Sequence, residues 1–542
     1  MKEDIIKILK ELVAIPSISS DPSENSAAEY IHDFISRIPY FRENPDLFGM
    51  RAIDNDPYGR HLAYALVKGR GGGNGTVILT GHYDVVSVED FGSVREYAFD
   101  IEALPEHLAK LKISDDARRD LESGEWIFGR GSSDMKSGLA IFLDYIAEYA
   151  QDPNGGNLLF LSVPDEESYS VGMRKAAKLL LELREKHDLQ YKLLINGEPS
   201  GHVDGKHVLQ IGTAGKCMPV VLIQGKKAHI GECFEGLNPL GVLYEIFSET
   251  ELSTEFSDVV EDEVTPPPTW TCLREIKESY DASIPLLAAG YMTAVSYYTT
   301  PEQVMNRIRA ITEAAFARRI DKMRRHFADY NRKAGRPDGD LAFSPQTLLF
   351  SELRAYCEKT YPDTFGSFYE KQYREIGEKL AKGELNYPEA TLRMVREVLA
   401  FSQIMDPVAV LAFAPPFYPA MLSSKIPGKE KCVLEYFDCI RENSKRMYGI
   451  DLKKQRYLVG LCDCSYAAVD SDFRGESVYI ANTPLWGDLY DIDFPEIREL
   501  NIPCLILGPY GKDFHQISER TERFDLCERI PALVRELCKF AF

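Results

Sequence analysis

The stretch Thr76-Val-Ile-Leu-Thr-Gly-His-Tyr-Asp-Val-Val86 decides how the rest of this chain is read. Its first five residues are apolar or β-branched and carry no charge, as in a strand buried on both faces. The run then delivers His82 and Asp84 where such a strand should end. Side chains two apart on a strand face the same way, so the imidazole and the carboxylate can touch. A metal-ligating histidine uses such a pairing: one ring nitrogen binds the ion while the other donates to a group that fixes its tautomer. Alone, His-x-Asp is more often a satisfied polar contact in a core. The acids that follow at other strand ends give it weight.

Asn157-Leu-Leu-Phe-Leu-Ser-Val163 reads as a second buried strand, and it runs into Pro164-Asp-Glu-Glu167. Lys192-Leu-Leu-Ile-Asn196 reads as a third, running into Gly197-Glu-Pro199. Between them, Trp126-Ile-Phe-Gly-Arg-Gly-Ser-Ser-Asp-Met-Lys-Ser-Gly138 holds Asp134 between glycines, at the mouth of an apolar helix over 139–149. A helix over 173–186 separates the last two strands. Such strand–helix alternation predicts right-handed crossovers and a mostly parallel sheet with helices on both faces. Ligands of open sheets sit beyond the carboxyl ends of the strands. His82, Asp134, Glu166, Glu167 and Glu198 are therefore expected along one edge. A late strand, Cys504-Leu-Ile-Leu507, runs into Gly508-Pro-Tyr-Gly-Lys-Asp-Phe-His515 and places His515 just past a strand end as well.

Strands are also expected over 61–67 and 76–80, with the glycine-rich 69–75 between them as a hairpin-like surface loop. That loop lacks the Lys-Ser/Thr ending and following helix of a phosphate loop. From 216 the pattern changes to an α+β middle with strands near 216–224, 270–276, 291–298 and 408–413 and a long charged helix over 301–332. The sequence thus divides into 1–213 and 421–542, two parts of one α/β domain, and an inserted domain over 214–420 with a long helical extension.

Composition narrows the classes. With 542 residues, 44% hydrophobic and 27% charged, the chain has the balance of a globular protein larger than one core usually serves. A formal net charge of -21 repels nucleic acid and anionic membranes. The first 13 residues interleave charges with apolar residues at helical spacing, unlike a signal-peptide core, and no apolar run reaches the ~18 residues of a membrane span. A cytoplasmic protein with no membrane partner is expected. Eleven cysteines, none before Cys217, do not form a disulfide framework.

At this point the motifs converge on one family. Gly81-His-Tyr-Asp-Val-Val86, Gly129-Arg-Gly-Ser-Ser-Asp-Met-Lys136, Asp165-Glu-Glu167, Gly197-Glu-Pro199, and Gly508-Pro through His515 with Glu519 occur in the order of the di-zinc exopeptidases and deacylases. The sequence resembles succinyl-diaminopimelate desuccinylase, acetylornithine deacetylase and carboxypeptidase G. The long middle and Pro415-Pro-Phe-Tyr-Pro419 resemble more specifically the RocB-type arginine-utilisation branch. The resemblance implies two divalent metal ions, zinc by preference, bridged by Asp134. His82 and Glu198 would complete one site, Glu167 and His515 the other, with Asp84 orienting His82 and Glu166 as general acid/base. It also implies a cis peptide after Asp134, and a lid histidine, His229, that holds the substrate carbonyl, in relatives often that of a partner subunit. The inserted lid is accordingly a candidate homodimer contact.

Two departures stand out. Relatives carry an arginine at the end of a lid strand to grip a substrate carboxylate, where this chain reads Tyr297-Tyr-Thr-Thr300. The lid is also much longer than usual. The expected function is metal-dependent hydrolysis of an N-acyl or peptide bond in a small amino-acid derivative. The competing reading is a non-catalytic binding or regulatory protein that keeps the fold. Asp165 is expected to be a simple turn acid, and His32, His61, His107, His187, His202, His207 and His326, with no acidic motif beside them, to be structural or solvated.

Overall fold

The structure is a computed structural model that describes residues 2–542 except 278, 338, 424, 425, 427, 459, 461 and 470–474. The chain divides into two units. The first comprises 1–214, 419–471 and 492–542, and the second 215–418 and 472–491.

The first unit is built on one sheet. Its strands run in the order Phe48–Ala52, His61–Val67, Asn157–Val163, Gly75–His82, Gln190–Asn196, Cys504–Ile506, Lys206–Gln210, Lys453–Gln455. From Asn157–Val163 through Cys504–Ile506 every pairing is parallel. The pairings of His61–Val67 with its neighbours are antiparallel. All residues of Gly75–His82 and of Asn157–Val163 are buried, as continuous apolar runs require when helices cover both faces. Val77 and Leu79 join one core with the helices Lys2–Val13, Lys136–Tyr149, Glu430–Tyr448 and Ile530–Ala541. The alternate residues Ile78, Leu159 and Leu194 are equally buried, and Val171–His187 packs on His61–Val67 and Asn157–Val163.

The strand order overturns one expectation. His61–Val67 and Gly75–His82 are not a hairpin, because Asn157–Val163 lies between them and pairs with both. The glycine-rich loop instead spans a neighbour's width, with Arg70 and Gly71 donating backbone hydrogen bonds to the Pro153 and Gly155 carbonyls. Adjacency in sequence carried no information on which strand would be inserted between them.

The second unit holds a sheet in the order Thr269–Glu275, Leu287–Ser296, Gly215–Gln224, Val408–Tyr418, Gln346–Leu349. It is antiparallel except at Gln346–Leu349. Pro239–Thr250 and Pro301–Lys333 pack on it and on each other. The extension forms three helices, Phe350–Thr360, Phe365–Ala381 and Tyr387–Ser402, whose apolar faces share a core with Val220, Leu222, Val410 and Ala412. Residues 472–491, expected with the first unit, belong to the second. There the Asn482 carbonyl accepts from Phe413 N at 2.8 Å, and the Tyr369 hydroxyl donates to the Pro484 carbonyl at 2.8 Å. Nothing in the local sequence of that segment marks the switch.

The segment 297–300 is a closed turn. Asp258, buried, accepts from the backbone N–H groups of Tyr297, Tyr298 and Thr299 and from the Thr299 hydroxyl. Thr300 then caps the long helix with a complete capping box to Gln303.

In the first unit, one close approach sets the sheet edge. Gly138 lies in the helix Lys136–Tyr149 with its Cα facing Gly197, and a Cβ there would overlap the Gly197 carbonyl. Gly138→Ala is expected to cost about 1–3 kcal/mol through a forced backbone shift, read as a lowered urea midpoint with an unchanged m-value.

Candidate metal centre and active site

The parallel strands of the first unit deliver their chemistry at their carboxyl ends. His82 is the last residue of its strand and fully buried. Its Nδ1 lies 3.0 Å from the carbonyl oxygen of Asp84. A carbonyl can only accept, so Nδ1 carries a proton, and in the neutral ring Nε2 presents a lone pair. Nε2 stands 3.2 Å from Asp134 Oδ1, 3.5 Å from Glu198 Oε1 and 3.9 Å from Glu166 Oε2.

Asp134 faces a second imidazole with its other oxygen. His515 Nε2 is 3.3 Å from Asp134 Oδ2 and 3.0 Å from Glu167 Oε2. One carboxylate thus stands between two imidazoles, with a further acid beside each. Two overlapping trios, His82 with Glu166 and Glu198 and His82 with Asp134 and Glu167, have their donor atoms within 4.8 Å of one another. Among the described residues no other histidine, cysteine or acid forms such a group.

The electrostatics show what the arrangement lacks on its own. Burial, reinforced by the neighbouring carboxylates, pushes Glu166, Glu167 and Glu198 up from the usual carboxylate range. Burial would lower His82, but Glu198, Asp134 and Asp84 raise it instead. Hydrogen bonds that its ring donates to the Asp134 and Glu167 carboxylates lift His515 to about 10. Asp134 is held low despite burial, by the His515 and His82 rings. Acids crowded this closely must take up protons or face cations. Imidazole nitrogen and carboxylate oxygen suit a divalent ion such as zinc, so the residues fit such a centre.

Each donor is fixed from behind. The Asp84 carboxylate accepts from Ser19 Oγ at 2.5 Å and from the backbone N–H of Glu166 and Glu167, both at 3.1 Å, so it holds the turn that carries those acids. Its contact with His82 is made by its carbonyl, while its carboxylate Oδ1 stays 3.5 Å from the ring. Glu519, buried, accepts from the N–H groups of Ser133 and Asp134 and from Arg130 Nη1 at 2.6 Å. The peptide Asp134–Met135 is cis, as expected. The strands Gly511–Lys512, Arg520–Glu522 and Trp126–Phe128 form a small sheet that ties the loop of His515 to that of Asp134. Arg520, fully buried, bonds Asp513, Asp116 and Asp120 beneath it.

Asp165 is more than a turn acid. It adopts a positive φ of 69° and is buried. Its carboxylate takes Arg60 Nη1 at 2.6 Å, and its N–H donates to Glu24 Oε2 at 2.9 Å. Arg60, 4% exposed, also pairs with Glu24 Oε1 at 2.9 Å and Asp56 Oδ1 at 2.7 Å. Sequence reasoning missed Glu24 and Arg60, which sit in no motif and lie 141 and 105 residues from Asp165.

His229 belongs to the second unit. It is exposed, and its Nδ1 accepts from Gly231 N at 3.1 Å, which puts the neutral ring's proton on Nε2. Of the remaining histidines, His107 stacks on Tyr97, and His202 and His207 pack with Tyr510. None of the eleven cysteines is in a disulfide.

The family model for Peptidase family M20/M25/M40 matches residues 78–541. The chain belongs to that family. It is a hydrolase of the peptidase and amidohydrolase class on that ground. It is 29% identical over 539 residues to Protein RocB of Bacillus subtilis (strain 168), covering 98% of this chain and 94% of that one. It is 30% identical over 525 residues to YqjN of the same strain, with 96% and 93% covered. The solved structure of a tripeptidase from Staphylococcus aureus matches with a TM-score of 0.54 at 14% identity, covering 100% of this chain and 98% of that one, which shows the shared fold. No helix among the described residues is long and apolar enough to cross a membrane.

The Arg60 network yields a stability test. Arg60→Met leaves Glu24, Asp56 and Asp165 buried without their counter-charge, a loss of about 3–5 kcal/mol. Chemical denaturation should show it, with Arg60→Lys falling between the two.

Proposed function

We propose that this M20/M25/M40 family member hydrolyses an N-acyl or peptide bond in a small amino-acid derivative, with Glu166 as general acid/base. Asp134 would bridge two divalent cations, zinc by preference. His82 and Glu198 would complete one site, Glu167 and His515 the other. The observation that carries the reading is Asp134 standing 3.2 Å from one imidazole and 3.3 Å from another, one oxygen to each. Bound cations supply a polarised amide carbonyl and an acidified water.

The rest falls to the chain's own groups. Glu166 is the acid farthest from His82 Nε2 in its trio, which suits a group that moves a proton and does not ligate. It takes the proton of the water as the new C–O bond forms. It gives that proton to the nitrogen as the C–N bond breaks, leaving a carboxylate and an amine. Burial raises the pKa of the Glu166 carboxyl, which makes it a stronger base for that proton. His229, with Nε2–H as donor, is the candidate to hold the carbonyl oxygen, and the second unit is the candidate lid and homodimer contact. A link to arginine utilisation rests on the resemblance to the RocB branch.

Metal analysis of the purified chain should find two divalent ions, and His515→Ala should retain one. Chelation should abolish turnover of N-acyl amino acids or dipeptides, and zinc should restore it. Glu166→Gln should lower kcat by about 10²–10⁴-fold with both ions still bound. Unchanged turnover in that variant would remove Glu166 from the chemistry, and a chain that binds no metal and cleaves nothing would favour a binding protein instead.

A further inference from the structure

The margin of the large sheet carries a cleft that the proposed reaction does not use. Lys453–Gln455 is the end strand of that sheet, hydrogen-bonded to Lys206–Gln210. Between it and the helix Glu430–Tyr448, all within the first unit, lies a cavity of about 430 Å³. The helix contributes Leu434, Phe437, Asp438 and Arg441, whose spacing puts them on one face. The rest of the lining is Asp451 and Leu452, which precede the end strand, Lys453 and Lys454 within it, and Lys206 from its neighbour.

The cleft is separate from the proposed metal centre. The strand of Lys206 runs antiparallel to Cys504–Ile506, which is parallel to Gln190–Asn196, so Lys206 lies on the sheet edge where Glu198 also emerges. The end strand is three places along from the strand that leads to Glu198, about 14 Å at ~4.8 Å per place. No lining residue belongs to the candidate ligand set.

Its charge runs against that of the chain. The lining holds four bases against two acids, in a protein of net charge -21. Arg441 is engaged by Asp451, with Nε 2.7 Å from Oδ1 and Nη2 3.2 Å from Oδ2. Lys453 Nζ reaches Asp204 Oδ2 at 2.9 Å. The Lys206 and Lys454 side chains make neither hydrogen bond nor ion pair among the described residues. Phe437 and Leu452, 5% and 4% exposed, give the cavity an apolar floor. Lysines on an end strand also deter pairing with other chains. That accounts for charge along the strand, but not for an apolar cavity beside it with a bidentate ion pair in its wall.

We propose that this cleft binds a small organic phosphate, with the phosphate between the Lys206 and Lys454 ammonium groups and the organic part against Phe437 and Leu452. The volume is that of a small-molecule site. A phosphate monoester carries close to two negative charges at neutral pH, which matches the excess of bases in the lining. Arg441, whose planar fork would recognise a carboxylate, is already held by Asp451. The open donors are ammonium groups, point charges that suit the tetrahedral oxygens of phosphate. One ligand would touch both the helix and the end strand.

Isothermal titration of the full chain with phenyl phosphate tests this. Bound metal ions also attract phosphate, so the titration is run on wild type, on wild type stripped by chelator, on Asp134→Asn and on the double variant Lys206→Ala/Lys454→Ala. Stripped wild type and Asp134→Asn should each bind one molecule per chain at wild-type affinity. The double variant, stripped in the same way, should bind about 10-fold more weakly, the scale of two exposed charge pairs. Without ligand it should melt as wild type does, which shows that the loss is not one of folding. Inorganic phosphate should bind more weakly than phenyl phosphate, and phenol should not bind. No saturable binding, equal affinity in the double variant, or binding that vanishes on stripping or in Asp134→Asn would each overturn the proposal. Tighter binding of the dicarboxylate isophthalate would overturn the assignment to phosphate.

Discussion

Like charges held close together are the constraint on which this structure depends. Asp134, Glu167 and Glu198 must stand within ligand distance of two imidazoles, and their mutual repulsion works to spread them. The fold resists by taking Glu167 and Glu198 from the ends of the two strands that flank the His82 strand, which cannot separate without breaking ladder hydrogen bonds. Gly138 and Gly508 then let backbone approach the Gly197–Glu198 segment where a side chain would not fit.

A layer of paired charges sits behind the donors. Glu519 grips the amides of Ser133 and Asp134 and is itself gripped by Arg130. Asp84 grips the amides of Glu166 and Glu167, and Arg60 with Glu24 grips Asp165 one residue earlier. The turn bearing Glu166 is therefore fixed on both sides by anions bound to backbone N–H groups, bonds that carry more strength than neutral ones. Such a layer orients the donors as outer partners do in metal centres. It also explains why so many buried charges are tolerated, since each acid in this layer has a guanidinium, a hydroxyl or several amides.

Legibility followed the physics of each feature. His82, Glu166, Glu167, Glu198 and His515 could be placed from the sequence because each follows an apolar run whose continuity marks a doubly covered strand. Asp134 could be placed by its glycines. Glu24 and Arg60 could not, since a buried ion pair between distant segments leaves no periodicity. The strands Lys206–Gln210 and Lys453–Gln455 were equally hidden, being too short to show a period. The strand inserted between His61–Val67 and Gly75–His82 was hidden because sheet order is decided by crossover geometry and not by proximity in the chain.

The second unit shows the same physics used for a different end. At Tyr297–Thr299 a buried aspartate receives three successive amides and a hydroxyl. Asp258 satisfies the donors of a strand-to-helix turn that has no guanidinium to offer a ligand.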